Sequence, residues 1–197
     1  MLKKDAHYIA ANRSRIVDIL CDSFDTNKSV NFVVKQDARR KERLRFLIEY
    51  CFEKALSSGA IYLSEDKNCC ALVIDPEKTK TTFKSIWWDL KLVFKTIGIN
   101  RAIKVMKREK LSDSFNPKQP FVYLWYLGVA SEAQGQGLGS TALHELIVDQ
   151  ELPIFLKTST QRNFPFYEKN GFKKVGIIDD IEYELRMYLS RKIKVDQ

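Results

Sequence analysis

A chain of 197 residues that is 45% hydrophobic and 12% aromatic can bury a sizeable core in a single compact domain spanning 1–197, which excludes wholesale disorder. Its longest nearly uncharged apolar run, Phe121 to Ala130, is about half of what a membrane-spanning helix needs, and residues 1–10 lack the apolar segment of a secretory leader. A cytoplasmic protein that does not engage the membrane is expected. The formal net charge is +8, and eleven basic residues set against three acidic ones between Lys78 and Lys118 carry the whole excess.

From the N-terminus, Arg13 to Phe24 has helical spacing, with Ile16, Ile19, Leu20 and Phe24 on one face. Asp37 to Leu56 is a stronger helix whose stripe is Leu44, Leu47, Ile48 and Cys51, ending before Gly59. Ala60–Ser64 and Cys69–Ile74 read as an antiparallel hairpin around the polar turn at 65–68, stopped by Asp75 and Pro76. Lysines then alternate with large apolar residues, among them Phe83, Trp87 and Phe94. Gly98 divides this insert into two helices, the second carrying Ile99, Ala102, Ile103 and Met106.

After Pro117 and Pro120, the run Phe121–Ala130 reads as a central strand. Leu138–Val148 is a helix with Leu138, Ala142, Leu143, Leu146 and Ile147 inward. Pro153–Thr158 is a strand, Asn163–Lys169 a short helix, and Phe172–Ile178 with Ile181–Leu189 the closing strands. The second half is therefore β-α-β-α-β-β, its first βαβ unit parallel. Four cysteines (Cys21, Cys51, Cys69, Cys70) lack zinc-ligand spacing, and His7 and His144 lie far apart, so reduced thiols and no metal site are expected. His7 is read as part of an N-terminal tail.

Chemistry concentrates between the long strand and its helix, in Gln134-Gly135-Gln136-Gly137-Leu138-Gly139-Ser140. Three alternate glycines leave backbone N–H groups unshielded at a helix N-terminus, a setting that suits phosphate or, more plainly, a tight turn packing helix on strand. A Walker A loop fails because no lysine lies here. A dinucleotide fingerprint fails because Ser140 stands where its third glycine belongs and the next strand ends in Lys157-Thr158 rather than in an acid.

Gln134-x-x-Gly137-x-Gly139 directly after Leu127-Gly128-Val129 resembles the acyl-CoA loop of the GNAT superfamily of N-acetyltransferases. The likeness continues in order through Leu156–Ser159, Asn163 and Phe166-Tyr167-Glu168-Lys169-Asn170-Gly171-Phe172, covering about 123–176. It implies an α/β (α+β) fold: a mixed, mostly antiparallel sheet with a splayed parallel strand pair, flanking helices and a helical insert at about 78–118. It also implies acetyl-CoA as co-substrate without metal, and a small-molecule or protein amine as acceptor. Backbone groups of Leu127 and Val129 would bond the thioester end and pantetheine, and an amide near Leu127 would stabilise an oxyanion.

By the same resemblance, the N–H groups of Gln134, Gly135, Gln136, Gly137, Leu138, Gly139 and Ser140 would hold the pyrophosphate. Asn163 would bond the pantetheine arm or merely cap its helix. Tyr167 would protonate the departing thiolate, or be a structural buried phenol. Some relatives place an acidic base on the central strand where this chain has Tyr123 and Trp125, and relatives with this pattern often carry Glu where it has Lys157. No base is therefore assigned. Trp87, Trp88, Phe94 and Trp125 are expected to line an apolar acceptor pocket. A monomer or homodimer is expected. The other readings are a non-catalytic acyl-CoA-binding regulator and a nucleic-acid-binding role for the basic insert, whose interleaved rings suit a core or pocket better than base stacking.

Overall fold

The structure is a computed structural model that describes residues 1–79, 92–179 and 182–190. The chain starts with a two-residue strand β1 (Leu2–Lys3) and a short helix α1 (Ala6–Ala11), where a tail was expected. Asp5 caps α1 by accepting from the Tyr8 N–H at 2.9 Å, and the Tyr8 hydroxyl ties it to Ser64 O at 3.0 Å. His7 is thus an exposed helical residue.

Helix α2 (Arg13–Phe24) has the bounds its apolar spacing predicts and buries Ile16, Val17, Ile19 and Leu20. A further short helix, α3 (Lys28–Val33), is capped by the Asn27 side chain on the Val30 N–H. Helix α4 (Arg40–Ser58) starts three residues later than the spacing suggests. The reason is Asp37, whose carboxylate accepts from the Arg39 N–H and from the Arg43 guanidinium, so it organises the approach to the helix from outside it.

β2 (Gly59–Ser64) and β3 (Cys69–Ile74) form the expected antiparallel hairpin. Of the basic insert, residues 80–91 lie outside the described residues; a π-helical turn (Val93–Ile97) and helix α5 (Ile99–Asp113) follow, broken at Gly98 as expected. Then come β4 (Val122–Val129), α6 (Leu138–Asp149), β5 (Ile154–Thr158), α7 (Phe164–Lys169), β6 (Phe172–Ile178) and β7 (Leu185–Ser190). The closing strand was expected from Ile181, which lies outside the described residues, and pairing begins only at Leu185.

The seven strands make one sheet in the order β1-β2-β3-β4-β5-β7-β6, all antiparallel neighbours except β4 and β5. One core, with Ile16, Leu20, Leu44, Ile48 and Leu72, lies under α2 and α4. A second, with Leu143, Leu146, Leu156 and Tyr188, lies under α6 and α7 on the opposite face. α2 crosses β4 so closely that a Cβ on Gly128 would sit 2.9 Å from Leu20 Cδ2. Among the described residues no helix is long and apolar enough to cross a membrane.

Candidate active site

The site follows from what happens midway along β4. Its pairing with β5 covers only Val122–Leu124 opposite Ile154–Leu156, after which β4 runs on to Val129 without that partner. The β3–β4 register also slips between Leu72 and Val73, leaving Trp125 as an extra residue on β4. Val122 and Leu124 bury under α6 and α7, whereas Tyr126, beyond the bulge, buries under α2 and α4. The bulge therefore turns the strand over where its neighbour leaves.

This sets the direction of the backbone groups. The Ala130 N–H donates to Asn68 O at 2.7 Å toward β3, and alternation then turns Gly128 and Tyr126 the same way. The N–H and C=O groups of Leu127 and Val129 point away from β3, over the gap. The Val129 carbonyl accepts from Ser23 Oγ at 3.1 Å and Gln134 Nε2 at 3.3 Å. Leu127 lines the cavity described below.

Where β4 ends, the glycine loop turns into α6. Gly135 and Gly137 have φ of +81° and +80°, and a Cβ on either would meet nothing within 4 Å, so their role is conformational and the loop surface is open. Two of the loop's seven N–H groups are occupied internally: Gln134 donates to Ser131 O at 3.5 Å and Ser140 to Gly137 O at 3.0 Å. Those of Gly135, Gln136, Gly137, Leu138 and Gly139 have no acceptor among the described residues. Five adjacent donors at the N-terminus of a 12-residue helix fit a polyanion such as a pyrophosphate.

α7 contributes the remaining two sequence candidates. Asn163 stands at its N-cap position, but the side chain makes no capping bond and lines the cavity. Tyr167 is 8% exposed, its ring held edge-on by Phe166 and Phe172 with centroids 5.1 and 5.7 Å away. Its hydroxyl has no hydrogen-bond partner among the described residues, and the residue lines the cavity. Burial pushes its phenol, like those of Tyr123 and Tyr126, well above the usual range, so all three are proton donors and not bases at neutral pH.

The cavity encloses about 540 Å³ and joins Leu127, Asn163 and Tyr167 to a wall formed by α3, α4 and α5. Trp125 lines it as expected; Trp87 and Trp88, and the side chain of Phe94, lie outside the described residues. The wall holds two carboxylates that the sequence reading did not single out, Glu109 and Asp113, one turn apart on α5. The helix presents them because its apolar positions do not mark its buried face. Ile103 and Met106 are 63% and 70% exposed, whereas Val105, Arg108 and Ser112 are buried.

Arg108 fixes this orientation, donating to Ser29 Oγ at 2.7 Å and Tyr183 OH at 2.6 Å and pairing with Glu109. Lys157, at the end of β5, reaches across to Asp113 at 3.0 Å and Ser112 Oγ at 2.8 Å. The signal in the sequence was the i, i+4 pair of acids in a helix otherwise rich in lysine. The cysteines take no part in the cavity wall: Cys51 and Cys69 are buried, and burial pushes each thiol up to about 12.

The chain thus combines a mixed sheet whose parallel pair splays beside a bulge with an open glycine loop at the end of the splayed strand. Residues 96–174 match the family model for an acetyltransferase (GNAT) domain. A histone acetyltransferase HPA2 and related acetyltransferase of Corynebacterium glutamicum superposes with a TM-score of 0.66 at 21% identity over 100% of this chain and 98% of its own. Arylalkylamine N-acetyltransferase 2 of Aedes aegypti gives 0.60 at 13% identity over 98% of both chains. An N-acetyltransferase of Staphylococcus aureus Mu50 gives 0.55 at 13% identity, covering 96% of this chain and 99% of its own. Residues 96–174 thus match a GNAT acetyltransferase domain, and the whole chain shares the fold of these solved acetyltransferases.

Proposed function

We propose that the protein transfers an acetyl group from acetyl-CoA directly to a primary amine of a small-molecule acceptor within a ternary complex. One observation carries this reading: the splayed end of β4, Asn163 without a capping bond and Tyr167, whose hydroxyl has no partner among the described residues, all line one cavity, and the same strand leads into five N–H donors with no acceptor among the described residues. Bound acetyl-CoA would supply a thioester carbonyl as the acyl donor. The N–H groups of Gly135–Gly139 would hold its pyrophosphate, and the backbone groups of Leu127 and Val129 would pair with the pantetheine arm as an added strand.

The Leu127 N–H, fixed by the sheet and pointing over the gap, is placed to stabilise charge developing on the carbonyl oxygen. Tyr167 donates its proton to the departing thiolate, a proton the buried phenol holds at neutral pH. Direct transfer is favoured because the buried thiols are held protonated and lie off the cavity wall. Glu109 and Asp113 are the carboxylates to which the incoming ammonium can lose its proton, directly or through water, before the amine attacks. The test is acetyl-CoA-dependent thiol release across a panel of primary amines. Acetyl-CoA binding without turnover of any amine would reduce the protein to an acyl-CoA-binding regulator.

A further inference from the structure

The charge of the cavity does not suit a simple amine. Among the described residues that line it are three cations, Lys54, Arg108 and Lys157, and two carboxylates, Glu109 and Asp113. Both carboxylates are already paired, Glu109 with Arg108 and Asp113 with Lys157. Lys157 is 11% exposed at its side chain, and its ammonium lies over the rings of Tyr123 and Phe155 at 5.7 and 6.0 Å. The arrangement that would cradle a substrate ammonium, a carboxylate beside two aromatic faces, therefore already holds one from the protein.

Lys54 is different. It is half-buried on α4, donates to the Tyr50 hydroxyl at 3.5 Å, and has no carboxylate within ion-pairing distance among the described residues. Tyr50 meets Trp125 edge-on at 6.5 Å, and Trp125 is the bulge residue at the splay. An uncompensated ammonium thus stands at the far end of an aromatic wall that begins beside the reacting centre.

We infer that the acceptor bears a carboxylate as well as its primary amine, on an aromatic or apolar body, and that Lys54 is the residue that selects it. The inference rests on the acetyl-transfer reading. With the carboxylate on Lys54 and the body along Tyr50 and Trp125, the amine is directed toward the gap at Leu127. A lone ammonium in the same place would enter a wall with an excess of positive charge; a carboxylated amine brings the charge that balances Lys54.

The experiment uses matched pairs whose amine and carboxylate stand at opposite ends of the body, 4-(2-aminoethyl)benzoate with phenethylamine, 4-(aminomethyl)benzoate with benzylamine, and 6-aminohexanoate with pentylamine, at saturating acetyl-CoA. In parallel, calorimetry measures binding of each compound to the full chain in the presence of CoA. The carboxylated member should be preferred in kcat/KM, and Lys54→Gln should raise its KM about tenfold while moving its partner by no more than about twofold. Lys54→Glu should reverse the preference and Lys54→Arg restore it. Equal effects on both members, a preference for the decarboxylated amines, or a change confined to the KM of acetyl-CoA would overturn the inference, the last by assigning Lys54 to the cofactor. Lys54-dependent binding of the carboxylated members without acetylation would uphold it and sink the acetyl-transfer reading instead. Binding of no member would overturn it.

Discussion

Two glycines of the loop that leads into α6, two positions apart, should respond to alanine in opposite ways. Gly137 sits at φ +80°, ψ −2°, the left-handed conformation that lets the loop turn into α6. Its Cβ would meet nothing within 4 Å, so Gly137→Ala costs only the backbone strain, about 1–2 kcal/mol. Gly139 lies in the first turn of α6 with no such strain, and its Cβ would rest 3.6 Å from Phe166 Cζ and 3.7 Å from Val129 Cγ2, ordinary contact distances. Gly139→Ala should gain up to about 0.5–1 kcal/mol from helix propensity.

In a chain of this length each 1 kcal/mol moves the Tm by about 2–4 °C, so the two variants should separate by several degrees on opposite sides of the parent. Function should divide them further. Relaxing the strain at Gly137 re-aims neighbouring N–H groups, and losing one charge-assisted bond to phosphate raises the KM for acetyl-CoA about tenfold. The Gly139 Cβ points inward at Phe166 and Val129, so that KM should stay within about threefold. Calorimetric melting and acetyl-CoA titration of both variants decide it. If Gly139→Ala destabilises as much as Gly137→Ala, or Gly137→Ala leaves both Tm and KM unmoved, the account of the loop is wrong.

Tyr167→Phe keeps every ring contact and removes only a hydroxyl that bonds nothing among the described residues; kcat should fall about a hundredfold or more with the melting temperature nearly unchanged. Because burial raises this phenol, its protonated form persists past its ordinary range, so the pH profile of kcat should show no Tyr167-dependent alkaline limb below about pH 10; a lower limb that vanishes in Tyr167→Phe contradicts the assignment. Asn163→Ala separates a cap from a cofactor ligand: with no capping bond to lose, stability should shift by less than about 0.5 kcal/mol while the KM for acetyl-CoA rises, and a cost near 1 kcal/mol with unchanged KM would restore the capping role. Asp37 carries a pH signature in stability. The Arg43 guanidinium holds its carboxyl down from 3.8 to about 2, so its contribution is complete above the unfolded value and is lost as pH falls from about 4 toward 2. The gap in melting temperature between the parent and Asp37→Asn should accordingly close over that window, and a gap that persists at pH 2 would show that the Arg43 contact is not its source.

Elements that bury an apolar stripe were legible in the sequence. α2 and the stripe of α4 follow from the spacing of Ile16, Leu20, Leu44 and Ile48, and β4 from the aromatic and β-branched run after Pro120. The N-terminal strand and helix were not, because so short a stretch carries no period. They are held by contacts more than 50 residues away, from Leu2 N–H and Lys4 to Glu145 and Asp149 and from Tyr8 to Ser64. The splay of β4 from β5 has no local signal either: three paired residues followed by none leaves the composition of the strand unchanged, and only the order of the motifs after it implied the gap.

α5 shows why the charged wall of the cavity stayed hidden. A helix read by hydropathy turns Ile103 and Met106 inward, yet Arg108 is the side chain that docks it. The cost of burying that guanidinium is offset by the neighbouring Glu109 and by Ser29 and Tyr183, the last two on elements that spacing along one helix cannot reveal. Once Arg108 is inside, helical geometry carries Glu109, Ser112 and Asp113 to the cavity and sends Ile103 and Met106 to the surface. The place where the pattern fails is the place where the cavity wall becomes charged.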